Sequence, residues 1–235
     1  MVIVVNHLTR MQKGFMCVAG LNLETLAHVR PMLRQQMRTR FLVRNGGPFD
    51  IGCVVDLGRT RPIGQPPETE DQLFFAKNAS RRDCLPADQF WQLLTRVAKG
   101  KLGEIFGKDL VQRGRESYAV DVGHGTASLG CLTTHNRPHL IVQQKEGRQR
   151  IRMAFHIGDF PFNLGVTDIR LYAADHVTPN HEVIYRTEQR LQADVEVILS
   201  VGLTRAFKKT ADTPALHWLQ VNNIHFQDDP CWQLR

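Results

Sequence analysis

The sequence predicts a mostly β protein with minor α, built from two small β-barrels that are connected through a helical segment. Short apolar segments separated by turn residues fill both ends of the chain, and one strong helical pattern stands between them. Greek-key barrels joined through a helix would give this order. With 235 residues, the chain is long enough for two small domains. We expect the first barrel over residues 1–82, the helical connector over 83–114 and the second barrel over 115–235.

The first barrel is predicted from four short apolar strands, over residues 2–5, 15–19, 28–32 and 51–57. Glycines stand between these segments, as turn residues do between the strands of small barrels. A proline-rich and acidic passage follows over residues 62–71. Because it lacks the glycine and serine of a flexible linker, we expect it to form an ordered connection.

The connector contains the strongest helical signal of the chain. Pro86 favours the first turn of a helix, and the residues after it repeat apolar side chains at intervals of three and four: Phe90, Leu93, Leu94 and Val97. A helix is therefore predicted over residues 87–98. Its apolar stripe is typical of core packing, so no function is predicted for it.

The second barrel is predicted from a β-hairpin over residues 148–168 and from strands over residues 118–122, 128–133, 140–143, 183–185, 195–203 and 218–224. The hairpin has two different faces, because strand side chains alternate in direction. Its first strand places Ile151, Met153, Phe155 and Ile157 on an apolar face. The opposite, cationic face carries Arg148, Arg150, Arg152 and His156. These residues are candidate nucleic-acid contacts, and a solvated strand face is the alternative.

Gly158-Asp159 is a two-residue hairpin signal that fixes the register of the two strands. On the apolar face the predicted pairs are Ile157 with Phe160, Phe155 with Phe162, Met153 with Leu164 and Ile151 with Val166. On the cationic face they are His156 with Pro161, Arg152 with Gly165 and Arg150 with Thr167. Since the hairpin phenylalanines are predicted to lie in the core, bases must stack elsewhere, and the candidates are Phe49, Trp218 and Trp232.

The overall charge favours a nucleic-acid partner. Basic residues exceed acidic ones by seven, and arginine outnumbers lysine by 22 to 8. The planar guanidinium suits phosphates and can stack on bases. Residues 28–44 contain five arginines and no acid, and we select three of them as candidate phosphate contacts: Arg30, Arg34 and Arg38.

Five widely spaced cysteines without a Cys-x-x-Cys pair are typical of reduced thiols, so we expect a cytoplasmic protein. No apolar run approaches about 18 residues, and no membrane partner is predicted. A metal site made by His124, Cys131, His135 and His139 is disfavoured by their spacing, and no cofactor is predicted. A hydrolase that uses the Cys131, His135 and His139 neighbourhood remains a third hypothesis, although no catalytic constellation stands out.

Several short motifs follow one another along the chain: Cys17-Val18-Ala19-Gly20, Val29-Arg30-Pro31, Asn45-Gly46-Gly47-Pro48-Phe49-Asp50, Pro66-Pro67-Glu68-Thr69-Glu70-Asp71, Val166-Thr167-Asp168 and Ser200-Val201-Gly202-Leu203-Thr204-Arg205-Ala206-Phe207. In order and spacing they resemble a family of bacterial proteins that contain a dual OB domain. The resemblance implies two OB-like barrels and no established activity. It adds three candidate polar site residues, Asp50, Asp168 and Arg205, and Ala206 departs from the proline usual in that motif.

Taken together, these patterns predict a non-enzymatic nucleic-acid-binding protein, with single strands as one candidate ligand. Its partners would be DNA or RNA, contacted mainly through the phosphate backbone. The alternative is a protein-interaction or ligand-sensing scaffold subunit of a bacterial assembly, in which the basic face docks an acidic protein.

Overall fold

The described part of the chain is mostly β with minor α, as predicted, and forms two β-sheets and three short α-helices. The computed structural model describes residues 1–134, 136–145 and 147–232. The first sheet has the strand order β5-β6-β3-β2-β1-β4-β7. Its strands are β1 (Val2–Arg10), β2 (Met16–Asn22), β3 (His28–Met32), β4 (Cys53–Asp56), β5 (Arg61–Pro62), β6 (Asp71–Leu73) and β7 (Ser80–Cys84).

The second sheet has the order β10-β14-β15-β13-β12-β11, and β9 pairs with both β15 and β8. Neighbouring strands are antiparallel except β13 and β15, which run parallel. The strands are β8 (Val111–Gln112), β9 (Tyr118–Asp121), β10 (Leu129–Thr134), β11 (His139–Lys145), β12 (Arg148–Ile157), β13 (Phe160–Val166), β14 (Val197–Leu203) and β15 (Leu216–Phe226).

The helices are α1 (Ala87–Val97), α2 (Leu102–Phe106) and α3 (His181–Leu191). Helix α1 begins after Pro86, as predicted, and buries Phe90, Leu93 and Leu94. Single 3₁₀ turns lie at Gln12–Gly14, Thr39–Phe41, Val43–Asn45, Ala76–Asn78, Gly107–Asp109 and Ile169–Leu171. No helix in the described part of the chain is long and apolar enough to cross a membrane.

The strand predicted over residues 183–185 is wrong, because these residues lie within α3. Three consecutive large side chains suggested a strand, but the buried positions follow helical spacing: Ile184, Thr187 and Leu191. Asn180 starts the helix, since its side-chain oxygen accepts a hydrogen bond from the Val183 amide at 3.3 Å.

The hairpin formed by β12 and β13 has the predicted register from the Ile157–Phe160 pair to the Arg152–Gly165 pair. The ladder ends there, so the predicted Ile151–Val166 and Arg150–Thr167 pairs do not form, and at this end β13 pairs with β15 along its other edge. One core prediction is wrong: Phe160 is 62% exposed. It directly follows the exposed turn residues Gly158 and Asp159.

The first half of the chain packs on part of the outer face of the second sheet. Cys131 on β10 and Ile198 on β14 point out of the second half and join the apolar core of the first. Both faces of β14 are therefore buried. The Asn223 side chain fixes the contact, because it accepts from the Leu8 amide at 2.7 Å and donates to the Leu8 carbonyl at 3.2 Å.

Candidate functional site

A cleft of about 700 Å³ lies between the two halves. One wall comes from β1, β2, β3 and the residues after β3, and the other comes from the ends of β13 and β14, the loop after β14 and the middle of β15. Among the described residues that line it none is acidic, and four are basic: Arg10, Arg30, Arg34 and Arg205. A concave surface with this charge favours an anionic ligand.

Arg30 is buried at the base of the cleft and joins the two halves. Strands β3 and β6 are parallel and place Arg30 opposite Asp71. Its Nε donates to Asp71 Oδ1 at 2.6 Å, and its Nη2 donates to Ser128 Oγ of the second half at 3.1 Å. Because Asp71 neutralises the charge of Arg30, this arginine contributes to the structure of the cleft more than to its positive potential.

Arg205 approaches the same carboxylate from the second half. Its Nη2 lies 2.5 Å from Asp71 Oδ2, and its Nη1 lies 3.2 Å from Glu68 Oε1. The neighbouring Glu70 accepts hydrogen bonds from the Ser128 and Leu129 amides at 2.6 and 3.0 Å. The acidic passage is thus ordered, as its composition indicated, and its carboxylates also join the two halves.

Other arginines near the cleft keep their charge available. Arg34 is exposed, and no carboxylate of the described residues pairs with it. The Arg10 guanidinium lies 4.3 Å from the centre of the Tyr172 ring, and its Nε has no hydrogen-bond partner among the described atoms. Arg38 is exposed beside the cleft, 5.6 Å from the Phe15 ring centre.

A family model for the dual OB-containing domain matches residues 1–224. The chain belongs to the dual OB family. No curated protein matches the chain. The match confirms the resemblance and the fold class, since an OB fold is a small, partly open Greek-key barrel. OB-fold domains commonly bind nucleic acids.

In this dual OB chain, the cationic hairpin face is continuous with the cleft. Strand register puts Arg152 opposite Gly165, Gly165 beside Gln220, and Gln220 opposite Gly202. Paired residues share one face of a sheet, and Gln220 lines the cleft. Strands lie about 4.8 Å apart, so Arg152 is about 10 Å from Gln220. A side chain at Gly165 would meet no atom within 4 Å, so the space between them is open.

The hairpin cations differ in their surroundings. Arg148, Arg150 and His156 are exposed, whereas the Arg152 guanidinium donates to the side chain and carbonyl of Asn163. Burial, with a smaller contribution from Arg150, lowers the pKa of Arg152. His156 lines a second cavity of about 460 Å³ beside the hairpin turn.

The predicted stacking residues of the dual OB chain are not available to a ligand. Phe49, Trp218 and Trp232 are all buried: Phe49 and Trp232 pack in the core of their halves, whereas Trp218 packs in a separate small cluster and is covered by Lys209, whose Nζ lies 3.2 Å from the ring centre. Phe207, which was not predicted as a platform, is 45% exposed and lines the cleft. It comes two residues after Arg205 in the loop between β14 and β15, and this position in the last family motif could have indicated it.

Two of the polar residues suggested by the dual OB resemblance lie outside the cleft lining. Asp168 is fully buried, and its two oxygens accept from the Arg170 guanidinium at 2.9 and 2.7 Å and from the Ile224 amide at 3.1 Å. It therefore has an evident structural role. Asp50 is partly buried and accepts from the Ile51 amide at 2.8 Å, and burial raises its pKa.

The environment of Cys131 does not favour a nucleophile in this dual OB chain. The thiol is buried, and burial raises its pKa to about 12. Its nearest imidazole belongs to His28, whose Nε2 lies 3.8 Å from the sulfur. His139 is directed elsewhere, since its Nδ1 lies 3.1 Å from Glu188 Oε1. The third residue of that hypothesis, His135, lies outside the described residues.

Proposed function

We propose that this protein binds single-stranded DNA or RNA, without catalysis, in the cleft between its two OB halves. One observation supports this most strongly: the cleft has four arginines, no acidic lining residue and the half-exposed ring of Phe207. Single strands are held by a cationic groove for the phosphates and by aromatic surfaces for the bases. The family supports the proposal, because OB folds are common nucleic-acid binders.

In this proposal the residues have separate tasks. Arg34 and Arg10 contact phosphates, because no carboxylate of the described cleft lining offsets their charge. Phe207 stacks on a base, which contributes about 1–3 kcal/mol. Arg30 and Arg205 hold the two walls together through Asp71. Arg150 and Arg148 extend the cationic surface along the hairpin when the strand is long enough to leave the cleft.

Titration of labelled oligonucleotides at several salt concentrations tests the proposal. Binding should weaken steeply with salt, with a slope of about −0.7 per phosphate contact for single strands. Arg34→Ala should lower both the affinity and the slope. Arg96→Ala is the matched control, since Arg96 is exposed on α1 away from the cleft lining. Failure to bind any DNA or RNA at low salt would refute the proposal.

A ligand-sensing role is the second candidate, because the cleft volume of about 700 Å³ is within the usual range for small-molecule sites. In that case the ligand is a small anion such as a nucleotide. A competition experiment separates the two functions. If a mononucleotide displaces a labelled ligand with the same affinity as a long oligonucleotide, ligand sensing is favoured. A marked advantage for the longer strand would favour nucleic-acid binding.

A further inference from the structure

A cluster of two histidines and one cysteine, of which His28 is partly buried and the others are buried, lies between the halves at the cleft wall. His7 is on β1, His28 begins β3, and Cys131 is on β10 of the second half. One ligand atom from each residue lies within 4.8 Å of the other two. The shortest distance that the structure gives is 3.8 Å, from Cys131 Sγ to His28 Nε2.

Two polar atoms at this cluster are buried without a partner. His7 Nε2 and Asn6 Oδ1 make no hydrogen bond among the described atoms, although both residues are almost fully buried. An unsatisfied buried polar group costs about 1–3 kcal/mol. Such a group in a native protein calls for a physical explanation, and a bound ion is one.

We propose that His7, His28 and Cys131 bind a zinc ion that ties the two OB halves together. Imidazole and thiolate are the ligands that zinc prefers, and three protein ligands with water complete a tetrahedron. Bond lengths of about 2.0–2.3 Å place tetrahedral ligand atoms about 3.3–3.8 Å apart. The Cys131–His28 distance of 3.8 Å lies at the upper end of this span, and the His7 ring would have to move by up to about 1.5 Å to complete the site.

The residues around the cluster suit such an ion. Asn6 Nδ2 lies 3.3 Å from the Cys131 sulfur and donates to it, which stabilises a thiolate. The amide of Asn222 lies 3.0 Å from His7 Nδ1. The Asn222 nitrogen faces Nδ1 in this orientation; rotated by 180°, the Asn222 side-chain oxygen would accept a hydrogen bond from Nδ1–H, which leaves the Nε2 lone pair for zinc. Gln220 donates to Asn222 at 2.8 Å, and its amide turns with it.

His7 lines the same cleft as Arg10 and Arg34, but none of the three proposed zinc ligands is assigned to a phosphate, so the zinc proposal does not depend on nucleic-acid binding.

Cobalt substitution of the full-length protein tests the site. After removal of metals by a chelator, we expect one equivalent of Co²⁺ to produce a thiolate charge-transfer band and tetrahedral d–d bands. Cys131→Ser should abolish the charge-transfer band, and Asn222→Ala should weaken binding about tenfold. Zn²⁺ should displace the cobalt and raise the melting temperature of the wild type, but not that of Cys131→Ser.

Two controls identify the ligands. Cys17→Ser should keep the band, since Cys17 is a partly buried thiol outside the cluster. Cys53→Ser with Cys84→Ser tests the other thiol pair, whose sulfurs are 2.7 Å apart. Should Cys131→Ser fail to fold, the partly buried His28→Gln replaces it. No band in the wild type, a band that survives Cys131→Ser or His28→Gln unchanged, or one lost with the Cys53 and Cys84 pair would each overturn the proposal.

Discussion

The cleft and the outer face of the hairpin are both rich in arginine, but their electrostatic surroundings differ. In the cleft, Arg30 and Arg205 share Asp71, so half of the lining arginines are held by a carboxylate. On the hairpin, Arg148 and Arg150 are exposed along an open strand. The cleft thus has walls held together by ion pairs at Asp71, together with the available charge of Arg34. The hairpin face also carries positive charge, but it is an open surface. A concave, ordered surface is the better candidate site, because it can orient a ligand.

Asp71→Asn should give the largest effect and tests the frame of the cleft. The substitution leaves the buried Arg30 guanidinium without a countercharge, and breaking a buried pair in this way costs about 3–5 kcal/mol. Urea denaturation measures the free energy of unfolding. Arg150→Ala on the hairpin is the control and should change it by less than about 0.5 kcal/mol. Equal effects of the two variants would show that Asp71 does not hold the frame.

Acid should weaken the contact between the halves at the buried His225 on β15, whose Nε2 lies 3.2 Å from the Asn6 carbonyl oxygen on β1. Burial lowers the pKa of His225 to about 4, so between pH 6.5 and 4 the unfolded chain binds the proton that the folded protein rejects. The free energy of unfolding that this residue contributes is complete above pH 6.5. As the pH is lowered towards 4, it decreases by about 1.4 kcal/mol per pH unit, on the order of 3 kcal/mol in all. Denaturation at several pH values should show a smaller slope for His225→Gln. The exposed His156→Gln should keep the wild-type slope, and identical slopes for all three proteins would contradict this assignment.

Phe207→Ala should lower the affinity for a single strand by about 1–3 kcal/mol, because it removes a stacking surface. Phe160→Ala is a matched control, since Phe160 is exposed at the hairpin turn outside the cleft lining. The salt slope should stay the same in both variants, as stacking releases no counterions. A larger loss of affinity for Phe160→Ala than for Phe207→Ala would show that the bases bind at the hairpin and not in the cleft.

The smallest expected effect is a difference in salt dependence. Arg34→Ala should reduce the slope of log affinity against log salt by about 0.7, the value for one phosphate contact. Arg150→Ala should change it only for oligonucleotides long enough to reach the hairpin. Titrations with short and long oligonucleotides measure both slopes. If Arg150→Ala changed the salt slope even for the shortest oligonucleotide, the strand would be bound outside the cleft.

Local patterns were sufficient to predict the hairpin and the first helix. A two-residue turn and strict alternation determine which residues of β12 and β13 are opposite, and Pro86 marks the start of α1. The exposure of Phe160 was not predictable in the same way. The alternation of apolar and polar residues indicates which face of the sheet a side chain is on, but it does not indicate whether other residues cover that face. The Val183–Tyr185 segment shows a further limit, since three apolar residues fit both a strand and a helix.

The site depends on contacts between residues that are distant in the chain. Arg30 and Arg205 meet at one carboxylate although 175 positions separate them, and no spacing rule connects them. Cys131 was compared with His135 and His139 because these are its sequence neighbours, whereas its contact is with His28, across the junction of the halves. The family motifs gave the better indication, because Arg30, Asp71 and Arg205 all belong to them.

The paired hydrogen bonds between Asn223 and the main chain of Leu8 bear on how the protein loses its structure. The amide of Asn223 takes the place of a neighbouring strand, so opening either half exposes polar groups that the other half had satisfied. Neither half can then melt at small cost while the other remains folded. The two barrels should therefore behave as a single cooperative unit, and a fragment that contains only one of them would begin with an unsatisfied surface.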